Sequence, residues 1–544
     1  MWVVPGLQAA PQNAAFVNGL VKQQGTSEAI PNVTVKLTPL GSVAAGAVED
    51  GRGAASTAVS ATTNIGGRFE FRGIPSGEYT ITVARDGYLR PKRGGGPERL
   101  LISAQQEIKD MTFTMVRGAS IFGQAVDAEG KPVPNVNVQV FEIAYRDGRR
   151  MLSPGAGFTS STLKTNARGE YRAAWLFPGE YYVRVQAQSS AGGRQVTAYS
   201  LFYPGTPEAG SAAPIWIREG DEMRLDLRIP PIERRDAGVK ITGKVIVETA
   251  EEVAPYSVST IGLIPLEPNK IVPSYQLPFT NVLSSPDGRF EIRGVQPGSY
   301  TVSALLSSKS LLTALPSLTP ISVSYDDIED LAVVVPSAVN AVQGDVVIRG
   351  DKSSVDIAAL QIQLGPLYAA SGPETSVDAD GTFTLEKIAP SPYRLHISGL
   401  PPQAYVEDII QGGRSVSDTG IVNIDKNPDP IRIIVNTGAG TIQGTVLKGL
   451  DQTATAQATV ALVPAWAKRQ NLSLYKSAIT GQDGNFMLTG IAPGDYKLFA
   501  WENIPGGAYQ NAEFLAAYEA RGQIVTVTPA SALNVHVTVI PSTR

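Results

Sequence analysis

The chain has no cysteine and only two histidines among its 544 residues. Without thiols there can be no disulfide, no thiolate nucleophile and no cysteine-based zinc site, although the absence fits either a reducing or an oxidising compartment. His396 and His536 alternate with apolar neighbours, which predicts outward positions on strands. Two isolated imidazoles cannot supply the ligands of a zinc peptidase, and no nucleophile elbow is present. We therefore expect no catalytic residue, no metal and no cofactor, and we predict that the protein is not an enzyme.

Concentrated positive charge and long apolar runs are also missing. The formal net charge of −4 gives no electrostatic reason to expect nucleic acid as a partner. The arginines between Arg85 and Arg99 are interrupted by glycines and a proline, which predicts a solvated loop. No apolar run approaches the roughly 18 residues that a membrane-spanning helix requires, so no membrane span is expected.

The first residues lack the basic region and the full apolar region of a signal peptide, but Leu7-Gln8-Ala9 before Ala10 is similar to the end of one. We interpret residues 1–14 as a residual export signal, with an apolar tail as the alternative. The expected location is secreted, either extracellular or on a bacterial cell surface.

One pattern is repeated along the whole chain: a glycine, an aromatic residue two positions later, and a tyrosine twelve positions later. It occurs five times, at Gly67, Phe69 and Tyr79; Gly169, Tyr171 and Tyr181; Gly288, Phe290 and Tyr300; Gly381, Phe383 and Tyr393; and Gly484, Phe486 and Tyr496. A fixed period of about 100 residues indicates tandem domains, each large enough to bury its own core. The predicted sandwiches 1 to 5 are residues 15–116, 117–231, 232–337, 338–437 and 438–544.

Alternation with period two dominates each repeat and predicts strands. The first strand of each repeat carries a glycine between apolar residues, as in Val17-Asn-Gly19-Leu-Val21, and the signature tyrosine begins another alternating strand after a proline turn. We favour core packing for these tyrosines over a hydroxyl bond of the tyrosine-corner type. The predicted fold class is all-β: five tandem transthyretin-like (Ig-like) antiparallel β-sandwich domains in an elongated string. The best helix candidate is Asn511 to Arg521, with Asn511 as its N-cap and Gly522 as its end.

Gly130 to Val138 and Gly169 to Val185 resemble the carboxypeptidase regulatory-like domain, a transthyretin-like sandwich related to starch-binding folds. Pro31 to Val35 and Ala84 to Tyr88 repeat the same pattern. The resemblance spans essentially the whole chain and is strongest in sandwiches 1, 2 and 5. It implies a non-catalytic fold of secreted bacterial proteins, sometimes with carbohydrate-binding capacity, and it brings no catalytic residues.

Two local patterns have a chemical alternative. Asp378-Ala-Asp380-Gly381 has the beginning of a calcium loop, but Thr382 and Phe383 resume the strand, so we interpret it as a turn. Exposed aromatic rings stack on sugars. The candidates are Trp216, between Ile215 and Ile217, and three rings assigned to long irregular loops: Trp501, Tyr509 and Tyr203. The alternative, which we favour, is that these rings cap the ends of their own sandwiches.

Two functions follow from these patterns. The first is a non-enzymatic structural or adhesive protein of a bacterial surface, matrix or filament, which associates with itself or with other surface proteins through strand edges. The apolar segment from Trp2 to Phe16 is a candidate for an added strand. The alternative is an array of carbohydrate-binding domains for a polysaccharide, in which linked weak sites gain avidity.

Overall fold

The structure is a computed structural model. It describes residues 15–40 (without 25 and 27), 58–91, 98–154, 163–229 (without 192–193 and 207–208), 239–247, 257–265, 272–273, 285–307 (without 286 and 296), 317–335, 339–367, 372–449 (without 389) and 452–541. The apolar segment before Ala15, the glycines at 94–96 and the proline junction at 230–238 lie outside these residues. The chain divides into two compact units, residues 1–142 with 154–231 and residues 143–153 with 232–544.

The described residues are almost all β, as predicted. Sandwich 1 contains β1 (Ala15–Gln23), β2 (Thr34–Pro39), β3 (Val59–Thr62), β4 (Arg68–Ile74), β5 (Gly77–Ala84), β6 (Tyr88–Leu89), β7 (Glu98–Ile102) and β8 (Glu107–Arg117). They form two sheets with the orders β4-β1-β8-β6 and β3-β2-β5-β7.

Sandwich 2 contains β9 (Ala119–Val126), β10 (Asn137–Arg146), β11 (Arg149–Pro154), β12 (Leu163–Lys164), β13 (Glu170–Leu176), β14 (Gly179–Ala191), β15 (Arg194–Phe202), the 3-10 turn η1 (Ala209–Ser211), β16 (Ile215–Ile217), β17 (Glu222–Arg224) and β18 (Leu227–Arg228). One sheet has the order β13-β9-β17, with β18 also on β9. In the other, β14 lies between β10 and β15, and it also pairs with β16.

Sandwich 3 contains β19 (Val239–Val247), β20 (Ser257–Pro265), β21 (Val272–Pro273), β22 (Arg289–Val295), β23 (Gly298–Ser307), β24 (Ser317–Val323) and β25 (Ile328–Val335). Its sheets have the orders β22-β19-β25 and β20-β23-β24. In the second compact unit, β21 pairs in parallel with β11 through Met151 and Leu152.

Sandwich 4 contains β26 (Val339–Arg349), η2 (Lys352–Ser354), η3 (Ile357–Ala359), β27 (Gln361–Pro366), β28 (Glu374–Ser376), β29 (Thr382–Ile388), β30 (Ser391–Ser398), β31 (Tyr405–Gln411), β32 (Arg414–Ser415), β33 (Ile421–Ile424) and β34 (Ile431–Asn436). The sheet orders are β29-β26-β34-β31-β32 and β28-β27-β30-β33.

Sandwich 5 contains β35 (Gly440–Lys448), β36 (Thr453–Ala454), β37 (Thr459–Pro464), η4 (Trp466–Lys468), η5 (Leu472–Leu474), β38 (Lys476–Ile479), β39 (Asn485–Ile491), β40 (Gly494–Trp501), η6 (Ala508–Gln510), α1 (Ala512–Ala516), η7 (Glu519–Arg521), β41 (Gln523–Val527) and β42 (Ala532–Thr538). The sheet orders are β36-β35-β39, with β42 also on β35, and β38-β37-β40-β41.

The first strand of every sandwich pairs with two others in the same way. It runs antiparallel to the strand of the signature aromatic residue and parallel to the last strand of the same sandwich, as β1 does with β4 and β8. The same pair of contacts is made by β9, β19, β26 and β35. The predicted first strands are therefore confirmed. Most pairings in the sheets are antiparallel, as predicted, and the pairing of first and last strand is parallel because the chain crosses to the other sheet before it returns.

Five clusters of buried side chains lie one in each predicted sandwich, and every cluster contains the signature aromatic residue and the signature tyrosine of its own repeat. Alternation explains this: residues two apart on a strand share a face, and the apolar face of each sheet packs on that of its partner sheet. The five cores agree with the repeat, while the domain boundaries stay a prediction.

The predicted helix from Asn511 to Arg521 is shorter than expected. Asn511 does cap it, since its Oδ1 accepts a hydrogen bond from the Phe514 backbone N–H at 2.8 Å, but only Ala512–Ala516 is α-helical. Gly522 is extended rather than left-handed, and a Cβ there would lie 2.5 Å from Cζ of Phe499. The glycine permits a close approach to the sheet instead of ending the helix.

Candidate functional site

The signature tyrosines are structural residues. Their rings are buried, and three of the hydroxyl groups donate hydrogen bonds to the carbonyl four residues earlier: Tyr79 to Pro75 at 3.0 Å, Tyr181 to Phe177 at 2.9 Å and Tyr496 to Ala492 at 2.8 Å. Core packing alone was therefore an incomplete interpretation, because each of these hydroxyls also fixes the preceding proline turn. Burial raises the pKa of Tyr496 to about 12, so the phenol is a neutral donor at physiological pH.

Replacing Tyr496 by phenylalanine keeps the buried ring and removes this bond. We expect Tyr496→Phe to destabilise sandwich 5 by about 1 kcal/mol, since the Ala492 carbonyl loses its partner. Hydrogen exchange of the amides in β40, followed by mass spectrometry, measures the change. Tyr325→Phe is the control, because Tyr325 is exposed; an equal effect of the two substitutions would contradict the role of the Tyr496 hydroxyl.

The acidic sequence around Asp380 forms a turn. Asp380 Oδ1 accepts hydrogen bonds from the Thr382 backbone N–H at 3.0 Å and from its hydroxyl at 2.7 Å, and Gly381 N–H donates to the Asp378 carbonyl at 2.8 Å. These bonds lower the pKa of Asp380. The interpretation as a turn is confirmed, and turn chemistry accounts for this carboxylate.

Both histidines lie on exposed strand positions, as predicted. His396 is on β30 between Leu395 and Ile397, and His536 is on β42. The two histidines lie on strands of different sandwiches, so neither imidazole has the other as a neighbour on its own strand or sheet.

Trp501 is not an exposed loop ring. It ends β40, is 1% exposed, and stacks on Phe499 with the ring centroids 5.2 Å apart. Phe514 and Tyr518 cover it from the segment that follows. That segment lies over the outer face of the sheet, so the indole fills a second apolar cluster and has no face left for a sugar.

Tyr509 and Tyr203 are half-buried. Tyr509 is in η6, and its hydroxyl donates to Ser477 Oγ at 3.0 Å. Tyr203 packs against the core of sandwich 2, and its backbone N–H donates to the Val183 carbonyl at 2.9 Å. Trp216 is different: it is 66% exposed on β16, while both of its isoleucine neighbours are buried. Of the four predicted aromatics, Trp216 alone presents most of its ring to solvent.

The position of Trp216 belongs to a repeated edge. In every sandwich the strand of the signature tyrosine pairs with a short strand in the same register, namely β7, β16, β24, β33 and β41. These short strands have no second partner strand among the described residues. In β7, β16 and β41 the outward face carries a large apolar side chain: Leu101 is 69% exposed, Trp216 66% and Ile524 76%.

A cavity of about 570 Å³ lies within the first compact unit and was missed by the sequence analysis. Polar, charged and aromatic side chains line it, including Asn32, Arg85, Asp86, Tyr88, Arg90 and Trp175. The Arg85 guanidinium lies 4.7 Å from the centroid of the Tyr88 ring, and that of Arg90 lies 5.9 Å from the Phe113 ring. The prediction of a solvated loop is therefore wrong for these two arginines, which are half-buried against aromatic rings.

Trp175 has a backbone conformation that rarely accommodates a large side chain. Its φ is +64°, at a shift of register between β13 and β9, and its side chain is 38% exposed. Such a conformation costs a non-glycine residue about 1–3 kcal/mol. Glycine occupies the corresponding position in sandwiches 1 and 5, where Gly73 and Gly490 have φ of +76° and +63°. A tryptophan six residues after the signature glycine, where other repeats have glycine, is the sequence signal for this site.

Among the described residues, none of the helices is long and apolar enough to cross a membrane. Residues 17–115 match the family model of the carboxypeptidase regulatory-like domain. No curated protein matches the chain.

Similar solved structures include a minor pilin of Streptococcus agalactiae, with 15% identity, a TM-score of 0.20, and coverage of 40% of this chain and 95% of the pilin. The major pilin subunit of Bacillus cereus has 10% identity and a TM-score of 0.15, with coverage of 78% of this chain and 99% of the subunit. A streptococcal ancillary pilin has 14% identity and a TM-score of 0.16, with coverage of 59% and 98%.

Proposed function

We propose that this chain, whose residues 17–115 match the carboxypeptidase regulatory-like domain, is a non-enzymatic structural protein of a bacterial surface, matrix or filament. It is exported, and its copies associate with one another through strand edges. The observation that carries the proposal is the repeated edge, with Leu101, Trp216 and Ile524 exposed on equivalent short strands.

An edge strand presents unpaired backbone N–H and C=O groups, which pair readily with another strand. Natural sheets usually protect such edges with lysine, proline or inward-pointing charges. The sequence of β41, Gln-Ile-Val-Thr-Val, has none of these, and neither has Ile-Trp-Ile in β16. Large apolar side chains on the outward face add area that association would remove from water. Backbone pairing and apolar burial therefore favour the same surface.

Three charge substitutions on the edge strands test association through these edges without destabilising the folded sheets. Leu101 lies across from Glu78, Trp216 from Glu180 and Ile524 from Lys497. In the combined variant Leu101→Lys, Trp216→Lys and Ile524→Glu, each new charge therefore faces its opposite across the strands, which favours the folded sheet. We expect the wild-type protein to form larger species in sedimentation velocity as its concentration rises, and the combined variant to stay a monomer.

The matched control places the same three charges away from strands. Ile65, Tyr325 and Trp466 are 93%, 90% and 73% exposed, which is comparable to the edge residues, and they lie in turns or in η4. The variant Ile65→Lys, Tyr325→Lys and Trp466→Glu should therefore associate as the wild type does. Monomeric wild-type protein at every concentration, or unchanged association of the edge variant, would refute the proposal.

Carbohydrate binding is the second candidate, and the exposed ring of Trp216 favours it. An array of five like sites has less support, because the residues at the register position of Trp216 in the other sandwiches are Leu101, Ser322, Asn423 and Thr526. Only one of these five residues is aromatic, so a polysaccharide would bind at single sites rather than at five equivalent aromatic surfaces.

A further inference from the structure

We propose that the cavity beside Trp175 binds an anionic saccharide, with a sugar ring on the Trp175 indole and a uronate carboxylate on the Arg85 guanidinium. The inference rests on carbohydrate binding, the second candidate function, and assigns it to a site that is separate from Trp216, with a ligand class of its own. It does not depend on association through strand edges, because β7, β16 and β41 do not line this cavity.

The size and lining of the cavity suit a small polar ligand. Its volume of about 570 Å³ lies within the usual range of ligand sites. Asn32 and Asp86 offer hydrogen-bonding groups, while Tyr88 and Trp175 offer ring surface. A saccharide requires this combination, because each pyranose has an apolar face bordered by hydroxyl groups.

Trp175 is the residue that the fold itself does not require. The indole is outside the buried core of sandwich 2, and its backbone has a conformation that suits glycine. A Cβ on Gly118 would lie 3.6 Å from Trp175 Cε3, so the linker glycine lies against one part of the ring. Residues with a strained backbone conformation cluster at functional sites, and here burial in the core does not offset the strain. The ring is thus held at the cavity wall with part of its surface open.

The charges of the lining favour an anion. Arg85 and Arg90 line the cavity together with one aspartate, Asp86. Arg85 stacks on Tyr88, and the described residues include no ion pair to its guanidinium. A stacked guanidinium keeps its N–H groups directed outward in the plane, where they match the two oxygens of a carboxylate. A uronic acid provides that carboxylate on the sugar ring itself.

Isothermal titration calorimetry with trigalacturonate tests the site on the full chain, with its methyl ester as the uncharged ligand of the same shape. We expect the acid to bind and the ester to bind at least about tenfold more weakly, a difference of about 1.4 kcal/mol. Arg85→Gln should remove this preference for the acid. Trp175→Gly should abolish binding of both ligands, and its melting temperature should not fall below that of the wild type, because glycine relieves the backbone strain.

Trp216→Ala is the matched control, since it removes an exposed indole of the same compact unit outside the cavity and should leave binding unchanged. Absence of binding by the wild type, equal binding of acid and ester, or unchanged binding by Trp175→Gly would each overturn the proposal. Loss of binding in Trp216→Ala would also overturn it, by moving the site to β16. Sedimentation of the same variants keeps the two functions apart, because Trp175→Gly should associate as the wild type does.

Discussion

Gly123→Ala is expected to destabilise sandwich 2 by about 3 kcal/mol or more, which is at the upper end for overpacking of a protein interior. A Cβ at this position would lie 2.0 Å from the carbonyl oxygen of Leu225 and 2.5 Å from its carbonyl carbon. Both are backbone atoms and cannot rotate away. The same oxygen accepts a hydrogen bond from the Tyr171 hydroxyl at 2.5 Å, so any movement of the last strand also breaks that bond.

Hydrogen exchange of the amides of β9, followed by mass spectrometry, measures this effect within one sandwich of a multidomain chain. Gly210→Ala is the control in the same sandwich, because no atom lies within 4 Å of a Cβ there. We expect faster exchange in β9 for Gly123→Ala alone. If both variants exchanged like the wild type, the close approach of the last strand would be disproved.

The same approach is repeated in the other four sandwiches. A Cβ would lie 2.0–2.4 Å from a carbonyl oxygen of the last strand at Gly19, Gly243, Gly344 and Gly444. This explains why each first strand carries a glycine between apolar residues. The parallel pairing and the signature aromatic ring both require a position without a side chain, and the sequence pattern records that requirement.

Gln139→Leu is expected to destabilise sandwich 2 by about 3 kcal/mol, because it removes the hydrogen-bond acceptor of a buried charge. Gln139 Oε1 accepts from Arg184 Nε at 2.9 Å and from Nη2 at 2.6 Å. The guanidinium lies 4.9 Å from the Phe141 ring centroid and 5.8 Å from that of Phe202. Burial lowers the pKa of Arg184 to about 10, so the charged form already has a desolvation cost at neutral pH.

The double variant Gln139→Leu with Arg184→Met separates loss of the bond from loss of packing. It replaces both polar partners by apolar groups of similar size, and we expect it to recover most of the lost stability. Hydrogen exchange of β10 and β14 gives the coupling energy of the pair. If the double variant were as unstable as the sum of the single variants, the buried charge would not be the cause.

The sign of the pH dependence follows from the lowered pKa. The unfolded chain holds the Arg184 proton up to the ordinary, higher pKa of an arginine, whereas burial in the folded chain lowers this pKa to about 10. Unfolding therefore takes up a proton between these values, and the contribution of Arg184 to stability rises with pH across that window. Below about pH 10 its unfavourable contribution is constant.

The sequence predicts strands and cores well, because apolar and polar residues alternate along a strand that is buried on one face. The same positions are buried in each repeat, so the same pattern returns in each. Val17, Phe69 and Tyr79 are all in one buried cluster, as their positions in the repeat predict. The direction of the pairing between first and last strands was not predictable in this way. Alternation shows which side chains share a face, but it contains no information about the neighbouring strand.

Trp501 shows where the same reasoning fails. The residues Leu498-Phe499-Ala500-Trp501 form a continuous apolar run, and all four are buried. Such a run is typical of a strand that is covered on both faces, whereas the length of the following segment led to assignment of Trp501 to a loop. Trp175 was missed because its own neighbours in the sequence do not single it out. Its unusual backbone conformation becomes visible only when the repeats are compared, since glycine has the corresponding positive φ in sandwiches 1 and 5.

The most direct test of the central claim is electron microscopy of the protein on the surface of its native producer and in the surrounding medium. Association through strand edges predicts ordered fibres or sheets with a repeat set by the chain, and the combined edge variant should not form them. Isolated molecules in both locations, at concentrations where the wild type is abundant, would contradict the account of a self-associating surface protein.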